Sequence, residues 1–460
     1  MKRLGWLLIL LNLPMLHAQT PVDIRAHIDG LKDGKVYLGG YYGDKTLIQD
    51  SAEVLHGSFR FESDSLFPQG MYLLVFPPTM EYVDLFLDED QQFQLQTDIR
   101  DLTDQMEVMG SEVNQIFYED LRFLQKQQAA LSAWQQQLDS VQTEQEALQL
   151  QQKSSEAQAA ILAHRAEIIE KHPDLLYSTF LRAIRGPQIP DPPQGEDEYW
   201  AYYWFRTHYF DEMDLSNPAL IRTPVIHSRL TQYLDQYTVQ DSDSLIHAVE
   251  TIISLAGPNE ETFQYYLSTL FNKYLDSELL HAEPVMIHLA QRYYLTGQAP
   301  WADAEYLEEL ERYIRPMAGT LVGDKGKNFT IDNLDDQPVT LYDIDADWIV
   351  IYFWSYDCGT CKTTTPRLVE MIPSYLEDRV ELVSVCTNGD RELWKEKVAE
   401  YGLPGIALAD PSRTSGFDLA YHVDHTPMVY VLDREFIIRY KQLSIEDLGA
   451  VLDFELTRSH

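Results

Sequence analysis

Trp348-Ile349-Val350-Ile351-Tyr352-Phe353-Trp354-Ser355-Tyr356-Asp357-Cys358-Gly359-Thr360-Cys361 is the stretch on which the reading of this chain turns. Its first half is apolar, aromatic and β-branched, and so short a run reads as a buried strand. Its end carries two of the 3 cysteines in 460 residues. Lys362 to Glu377 follows, with Leu368, Met371, Ile372 and Tyr375 at helical spacing. A cysteine pair at a strand-to-helix junction suits thiol–disulfide chemistry. The free N–H groups and positive dipole end of the helix favour thiolate on the first cysteine, and the second lies one turn on, within reach of a disulfide. The bland alternative is a short-range structural disulfide or half of a metal site. A four-ligand zinc site needs more cysteines or histidines than this stretch holds, so no metal is expected.

The N-terminus speaks to compartment. Lys2 and Arg3 precede an apolar run from Leu4 to Leu16 and then His17-Ala18-Gln19, the pattern of a secretory signal peptide over residues 1–18. The run is too short for a comfortable membrane span, and no cysteine stands at the cut to take a lipid anchor. With no other long apolar run, the mature chain is expected to be soluble, in the periplasm or elsewhere in the cell envelope, without a membrane span. The net charge of −38 argues against nucleic acid and against anionic membrane surfaces, and reads as a solvated acidic exterior.

The chain is expected to be multidomain: a small antiparallel β domain, sandwich or barrel, over 19–110; a central all-α domain over 111–316; and a C-terminal α/β domain over 317–460. In the first, Ile24, Ala26 and Ile28 alternate, as do Val36 with Leu38 and Phe59 with Phe61. Turns are expected at Asp29-Gly30, Asp33-Gly34, Gly39-Gly40 and His56-Gly57, and further strands at Met71 to Phe76, Val83 to Leu87 and around Phe93 and Leu95. In the second, the Gln- and Ala-rich stretch from Asn114 to Lys171 predicts a packed antiparallel helical hairpin rather than a coiled coil, because its apolar heptads are poorly sustained. The aromatics from Tyr199 to Phe205 are expected to pack into a core rather than bind a peptide or sugar. In the third, strands are expected at Ile349–Phe353, Val380–Val385, Ile406–Ala409, Met428–Leu432 and Phe436–Tyr440, and helices at Cys361–Leu376, Glu392–Tyr401 and Ile445–Leu456.

Phe353 to Cys361, with Pro366 five residues beyond the second cysteine, resembles the active-site segment of the thioredoxin fold. Thr426-Pro427, before the strand Met428–Leu432, is similar to that family's cis-proline loop. With the export signal, the region from Pro316 to His460 looks most like the TlpA/ResA type of exported thiol–disulfide oxidoreductase. Residues 21–110 and 150–315 more weakly resemble two uncharacterised modules that precede such domains. The resemblance implies Cys358 as nucleophile, Cys361 as resolving cysteine, and Thr426, Pro427 and Trp354 as the surface that docks substrate. It implies no cofactor beyond the redox-active disulfide itself. Tyr352 stands where thioredoxins usually carry a buried Asp, and Thr364 where the TlpA/ResA type often carries a Glu. Proton transfer then falls to Asp357, to His425 or to water.

The activity expected is reduction of disulfides in envelope proteins, with electrons from an unidentified membrane donor. Asp357 beside the nucleophile and the acidic protein field are expected to disfavour thiolate and make the pair reducing. Two other readings stand beside it. Tyr421-His422-Val423-Asp424-His425-Thr426 resembles the histidine loop of Sco-type copper chaperones, although the cysteine spacing and the retained Pro427 depart from that pattern. A non-enzymatic binding protein with a thioredoxin scaffold is the other. Cys386 reads as a small hydrophobe at a strand end.

Overall fold

A computed structural model describes residues 21–458 except 142, 278, 280, 281 and 377–379. The expected signal peptide, residues 1–18, lies outside the described residues. The chain forms two compact units, one comprising the chain up to Val239 with Glu250–Tyr266, the other Gln240–Val249 with Leu267 to the C-terminal end.

The first unit begins with eight strands: β1 (Val22–Asp29), β2 (Gly34–Tyr42), β3 (Lys45–Val54), β4 (Ser58–Ser63), β5 (Gly70–Phe76), β6 (Glu81–Leu87), β7 (Gln91–Asp98) and β8 (Glu107–Met109). They make two four-stranded sheets, ordered β4-β1-β7-β8 and β3-β2-β5-β6. Ile24, Phe61 and Phe93 of one sheet share a core with Leu38, Leu74 and Leu85 of the other. The alternation read from the sequence is the inward face of this sandwich. Pairing is antiparallel except between β1 and β7, which run parallel. Gly39-Gly40 is not the turn it was expected to be. It lies within β2, where the register against β3 shifts, and the turn falls at Gly43-Asp44, with Gly43 at φ +61°.

The helices then follow: α1 (Glu112–Leu138), α2 (Glu144–Lys171), α3 (Leu176–Arg185), α4 (Trp200–Thr207), α5 (Pro218–Ile221) and α6 (Pro224–Gln232). Ser111 caps α1, and the buried Asn114 side chain bonds both the amide (2.7 Å) and the carbonyl (2.8 Å) of Phe86, so the helix start closes the outer edge of β6. Contacts of Arg165 with Asp120 and of His172 with Glu112 show α1 and α2 antiparallel, the expected hairpin. The aromatic expectation is corrected at α4, which buries no residue. Trp204 stacks on His208 at 4.0 Å and Phe205 meets Tyr209 at 5.5 Å, whereas Tyr199, Tyr202 and Tyr203 face solvent. Phe205 thus reaches the buried Tyr209 beyond the helix, while the outward tyrosines stay in solvent.

Helices α7 (Ser242–Leu255) and α8 (Glu260–Leu275) contribute to both units. The second unit adds α9 (Ala282–Leu289), α10 (Ala304–Met317) and a short hairpin of β9 (Thr330–Asp332) and β10 (Pro338–Thr340). Its centre is a five-stranded sheet ordered β13-β12-β11-β14-β15, from β11 (Trp348–Trp354), β12 (Val380–Cys386), β13 (Ile406–Ala409), β14 (Met428–Asp433) and β15 (Ile438–Lys441). Strand β11 pairs parallel with β12 and antiparallel with β14. Helices α11 (Gly359–Met371), α12 (Pro373–Leu376), α13 (Arg391–Tyr401), α14 (Phe417–Ala420) and α15 (Ile445–Arg458) cover the sheet. Val350, Tyr352 and Trp354 pack on one face with Leu368, Trp394 and Leu448, and Ile349, Ile351 and Phe353 on the other with Phe417 and Tyr421. Burial on both faces is why β11 reads as an unbroken apolar run. The single helix expected over 361–376 divides before Pro373, whose ring nitrogen cannot donate to the preceding turn.

Candidate active site

Strand β11 ends at Trp354, and Ser355-Tyr356-Asp357 turns the chain into α11. Cys358 is the N-cap residue of that helix, with extended backbone (φ −70°, ψ 124°), and its sulfur accepts the Cys361 amide at 3.1 Å. A thiol sulfur therefore does here what a Ser or Asp oxygen does at other caps. Cys358 is half-buried and Cys361 is buried, and both are free thiols. The peptide bond Thr426–Pro427 is cis, and the Cys358 thiol donates to the Thr426 carbonyl at 3.0 Å. The two loops, 68 residues apart in sequence, thus meet at the Cys358 sulfur.

The two sulfurs have opposite electrostatics. Burial pushes the Cys358 thiol up, but hydrogen bonds to its anion from the Cys361 thiol, the Cys361 amide, Thr426 and the Thr360 amide outweigh it, and the thiol lies below its ordinary value. Burial, and the hydrogen bond Cys361 gives to Cys358, push the Cys361 thiol up to about 12. The first sulfur is thus the readier to ionise, and the second holds its proton to higher pH. This corrects the expectation that Asp357 sets the thiolate balance. Its carboxylate is exposed and accepts from Asn388 Nδ2 at 3.0 Å, and hydrogen bonds from residues 360, 361 and 426 dominate at Cys358.

Trp354 is also corrected. Its side chain is wholly buried, edge-on to Tyr401 at 5.9 Å, so it supports the loop from within and offers no surface to a substrate. Thr426 and Pro427 are half-buried beside Cys358. His425 is exposed, with Nδ1 2.6 Å from the Asp424 carboxylate. The position of the missing acid is filled by hydroxyls: the buried Tyr352 phenol lies 2.8 Å from Thr365 Oγ1 and 3.4 Å from Thr364 Oγ1, with its own ionisation pushed up to about 12 by burial. Cys386 pairs in register with Trp354 across β11 and β12 and is buried, its thiol pushed up to about 11 by desolvation. Among the described residues no cluster of three or more His, Cys, Asp or Glu side chains is arranged to hold a metal.

Asn388 escaped the sequence reading. Its Oδ1 accepts the Tyr356 amide at 2.9 Å while Nδ2 donates to Asp357, so one side chain from the β12–α13 loop fixes the turn that presents Cys358. The only signal for it was its place in the turn Thr387-Asn388-Gly389-Asp390.

Residues 322–441 match the AhpC/TSA family, residues 22–117 a domain of unknown function (DUF4369), and residues 135–306 another domain of unknown function (DUF5106). The C-terminal part is thus an AhpC/TSA thioredoxin-like domain, preceded by two modules without assigned chemistry. Over 115 residues the chain is 24% identical to the thiol-disulfide oxidoreductase ResA of Bacillus thuringiensis, covering 25% of this chain and 65% of that protein. It is 28% identical over 86 residues to ResA of Oceanobacillus iheyensis, covering 18% of this chain and 45% of that one. Among solved structures, a thioredoxin-like protein from Bacteroides caccae aligns with TM-score 0.46 and 17% identity, covering 58% of this chain and 98% of its own. The thioredoxin domain of a thiol-disulfide oxidoreductase from Bacteroides vulgatus aligns with TM-score 0.28 and 20% identity, covering 29% of this chain and 97% of its own.

Proposed function

We propose that this protein is an exported thiol–disulfide oxidoreductase of the periplasm or cell envelope that reduces disulfides in other envelope proteins through Cys358 and Cys361. The observation that carries the reading is the opposed state of the two thiols: an accessible sulfur held below its ordinary pKa at a helix N-cap, backed by a buried one pushed up to about 12. The Cys358 thiolate attacks a substrate sulfur, forming a mixed disulfide and releasing the substrate's first thiolate. Cys361 loses its proton and attacks Cys358, releasing the second substrate thiolate and leaving the pair oxidised, a two-electron transfer. Thr426 and Pro427 border the sulfur and dock the substrate backbone. His425, next to Thr426, takes the proton of Cys358, and water serves Cys361. No cofactor beyond the pair enters, and an electron donor in the membrane returns it to the dithiol.

The direction of flow is set by the potential of the pair, because expulsion of Cys361 by an incoming thiolate is a step both of substrate oxidation and of re-reduction by the donor. Equilibration with glutathione and dithiothreitol buffers tests the direction. A potential near −270 mV or below, roughly that of thioredoxin, supports a reductase, and one near roughly −120 mV overturns it. In a turnover assay with a protein disulfide and a dithiol donor, Cys358→Ser abolishes activity and Cys361→Ser traps the mixed disulfide. Wild-type turnover in both variants refutes the mechanism.

A further inference from the structure

The turn that presents Cys358 is weakly held by its own residues. The Asp357 amide donates to Ser355 Oγ at 3.2 Å and the Cys358 amide to the Ser355 carbonyl at 3.3 Å, at and beyond the long end of the usual range. Firmer contacts come from the loop between β12 and α13. The Thr387 amide donates to the Trp354 carbonyl at 2.9 Å, where β11 ends. Asn388 Oδ1 accepts the Tyr356 amide at 2.9 Å, and its Nδ2 donates to the Asp357 carboxylate at 3.0 Å. The Asp390 amide donates to the Tyr356 hydroxyl at 3.3 Å. Of these residues, Asn388 holds two successive positions of the turn with one side chain, and its amide admits only this orientation. Reversed, it would set two donors against each other at Tyr356 and an oxygen against a carboxylate at Asp357. What the turn places is the sulfur: Cys358 Sγ accepts the Cys361 amide at 3.1 Å and donates to the Thr426 carbonyl at 3.0 Å. Both contacts depend on where the backbone of residues 357 and 358 lies.

Resting on the oxidoreductase reading, we propose that Asn388 is a positioning residue for disulfide exchange: by pinning Tyr356 and Asp357 it holds the Cys358 sulfur against the Cys361 amide and the Thr426 carbonyl. It takes no part in the bonds made and broken. Its removal lets residues 356–358 relax, so the sulfur spends less time among the groups that stabilise its anion, and the attacking thiolate becomes scarcer.

Mixed-disulfide formation with bis(2-hydroxyethyl) disulfide tests this, followed by mass across about pH 5 to 10 in the full chain carrying Cys361→Ser, which stops at the mixed disulfide. Asn388→Ala removes both bonds without adding charge. Its apparent Cys358 pKa is expected to rise by about one unit, and its rate well below that pKa to fall about threefold. Asn388→Asp keeps the acceptor for the Tyr356 amide but faces one carboxylate with another, and is expected to lose at least as much. Combining Asp357→Asn with Asn388→Asp reverses the pair: residue 357 donates to residue 388, which still accepts the Tyr356 amide. The rate is then expected to return to within about twofold of the chain with Asn388 intact. An unchanged rate and apparent pKa in Asn388→Ala overturns the proposal, even if the unfolding midpoint falls, because the residue would then serve stability alone. A deficit in Asn388→Asp that persists in the reversed pair also overturns it, by placing the loss elsewhere in the loop. Failure of the oxidoreductase reading looks different: the chain with Asn388 intact would then react no faster than Cys358→Ser.

Discussion

Removing the Cys361 sulfur should weaken the nucleophile it serves. In Cys361→Ala the Cys358 anion loses one donor, the Cys361 thiol, while the backbone amide at residue 361 and the groups at Thr360 and Thr426 remain. A hydrogen bond to a charged group contributes about 1.5–3 kcal/mol, and at a half-exposed site the lower end applies, so the Cys358 pKa should rise by about one unit at 1.36 kcal/mol per unit. The rate consequence is smaller than the shift. At pH well below the Cys358 pKa the thiolate fraction falls about tenfold, but intrinsic nucleophilicity rises with pKa along a slope of about 0.4–0.5, so the net loss there is about threefold. At high pH the order reverses, and the variant's plateau should exceed the reference by about the same factor. Cys361→Ser is the right reference, because it stops at the mixed disulfide as the alanine variant does yet keeps a donor. The assay is mixed-disulfide formation with bis(2-hydroxyethyl) disulfide from about pH 5 to 10, followed by mass. An apparent pKa in the alanine variant equal to or below that of the serine variant refutes the assignment of Cys361 as the donor that lowers Cys358.

Further expectations follow from burial. Trp354→Phe should leave KM for a protein disulfide within about twofold while lowering the unfolding midpoint, because the indole is sealed in the core; a large rise in KM with unchanged stability would restore it to the substrate surface. Asp84, whose carboxyl burial pushes up to about 6 against the hydrogen bond from Tyr41, favours the folded state only while protonated. Its contribution is complete below about pH 4 and is lost as pH rises through about 6, a difference of about 2–3 kcal/mol that Asp84→Asn should abolish in urea unfolding at the two pH values; parallel profiles would refute it. Lys441 is buried against Glu283, so Lys441→Met should cost about 3–5 kcal/mol by stranding the carboxylate, and adding Glu283→Leu should recover most of it in the same unfolding assay.

How much of this was legible in the chain depended on whether a residue's role is written in its own neighbourhood. Strand β11 announced itself because both of its faces are buried, and β1 because one face is. Strand β3 did not, since only Val54 of its ten residues is buried and a solvated strand has no apolar period to read. Gly39-Gly40 misled because glycine marks bulges as well as turns, and only the partner strand distinguishes them. The same limit governs the site. Cys358, Cys361 and the cis peptide before Pro427 were visible as local motifs. Asn388 was not, because its role exists only once β12 lies beside β11 and brings the loop after β12 against residues 356 and 357.

The error at Asp357 has the same origin and bears on function. Sequence adjacency places an acid next to the nucleophile and suggests repulsion, yet adjacency in the chain is not proximity of charge. The Asp357 carboxylate is turned to Asn388, while Cys358 is governed by donors from its own helix turn and by contact with Thr426, 68 residues away. The two thiols are therefore set apart without an anionic neighbour, by donors at Cys358 and by burial at Cys361. Which sulfur ionises is thus decided by burial and by the loops that fold over the pair, not by the neighbour in sequence.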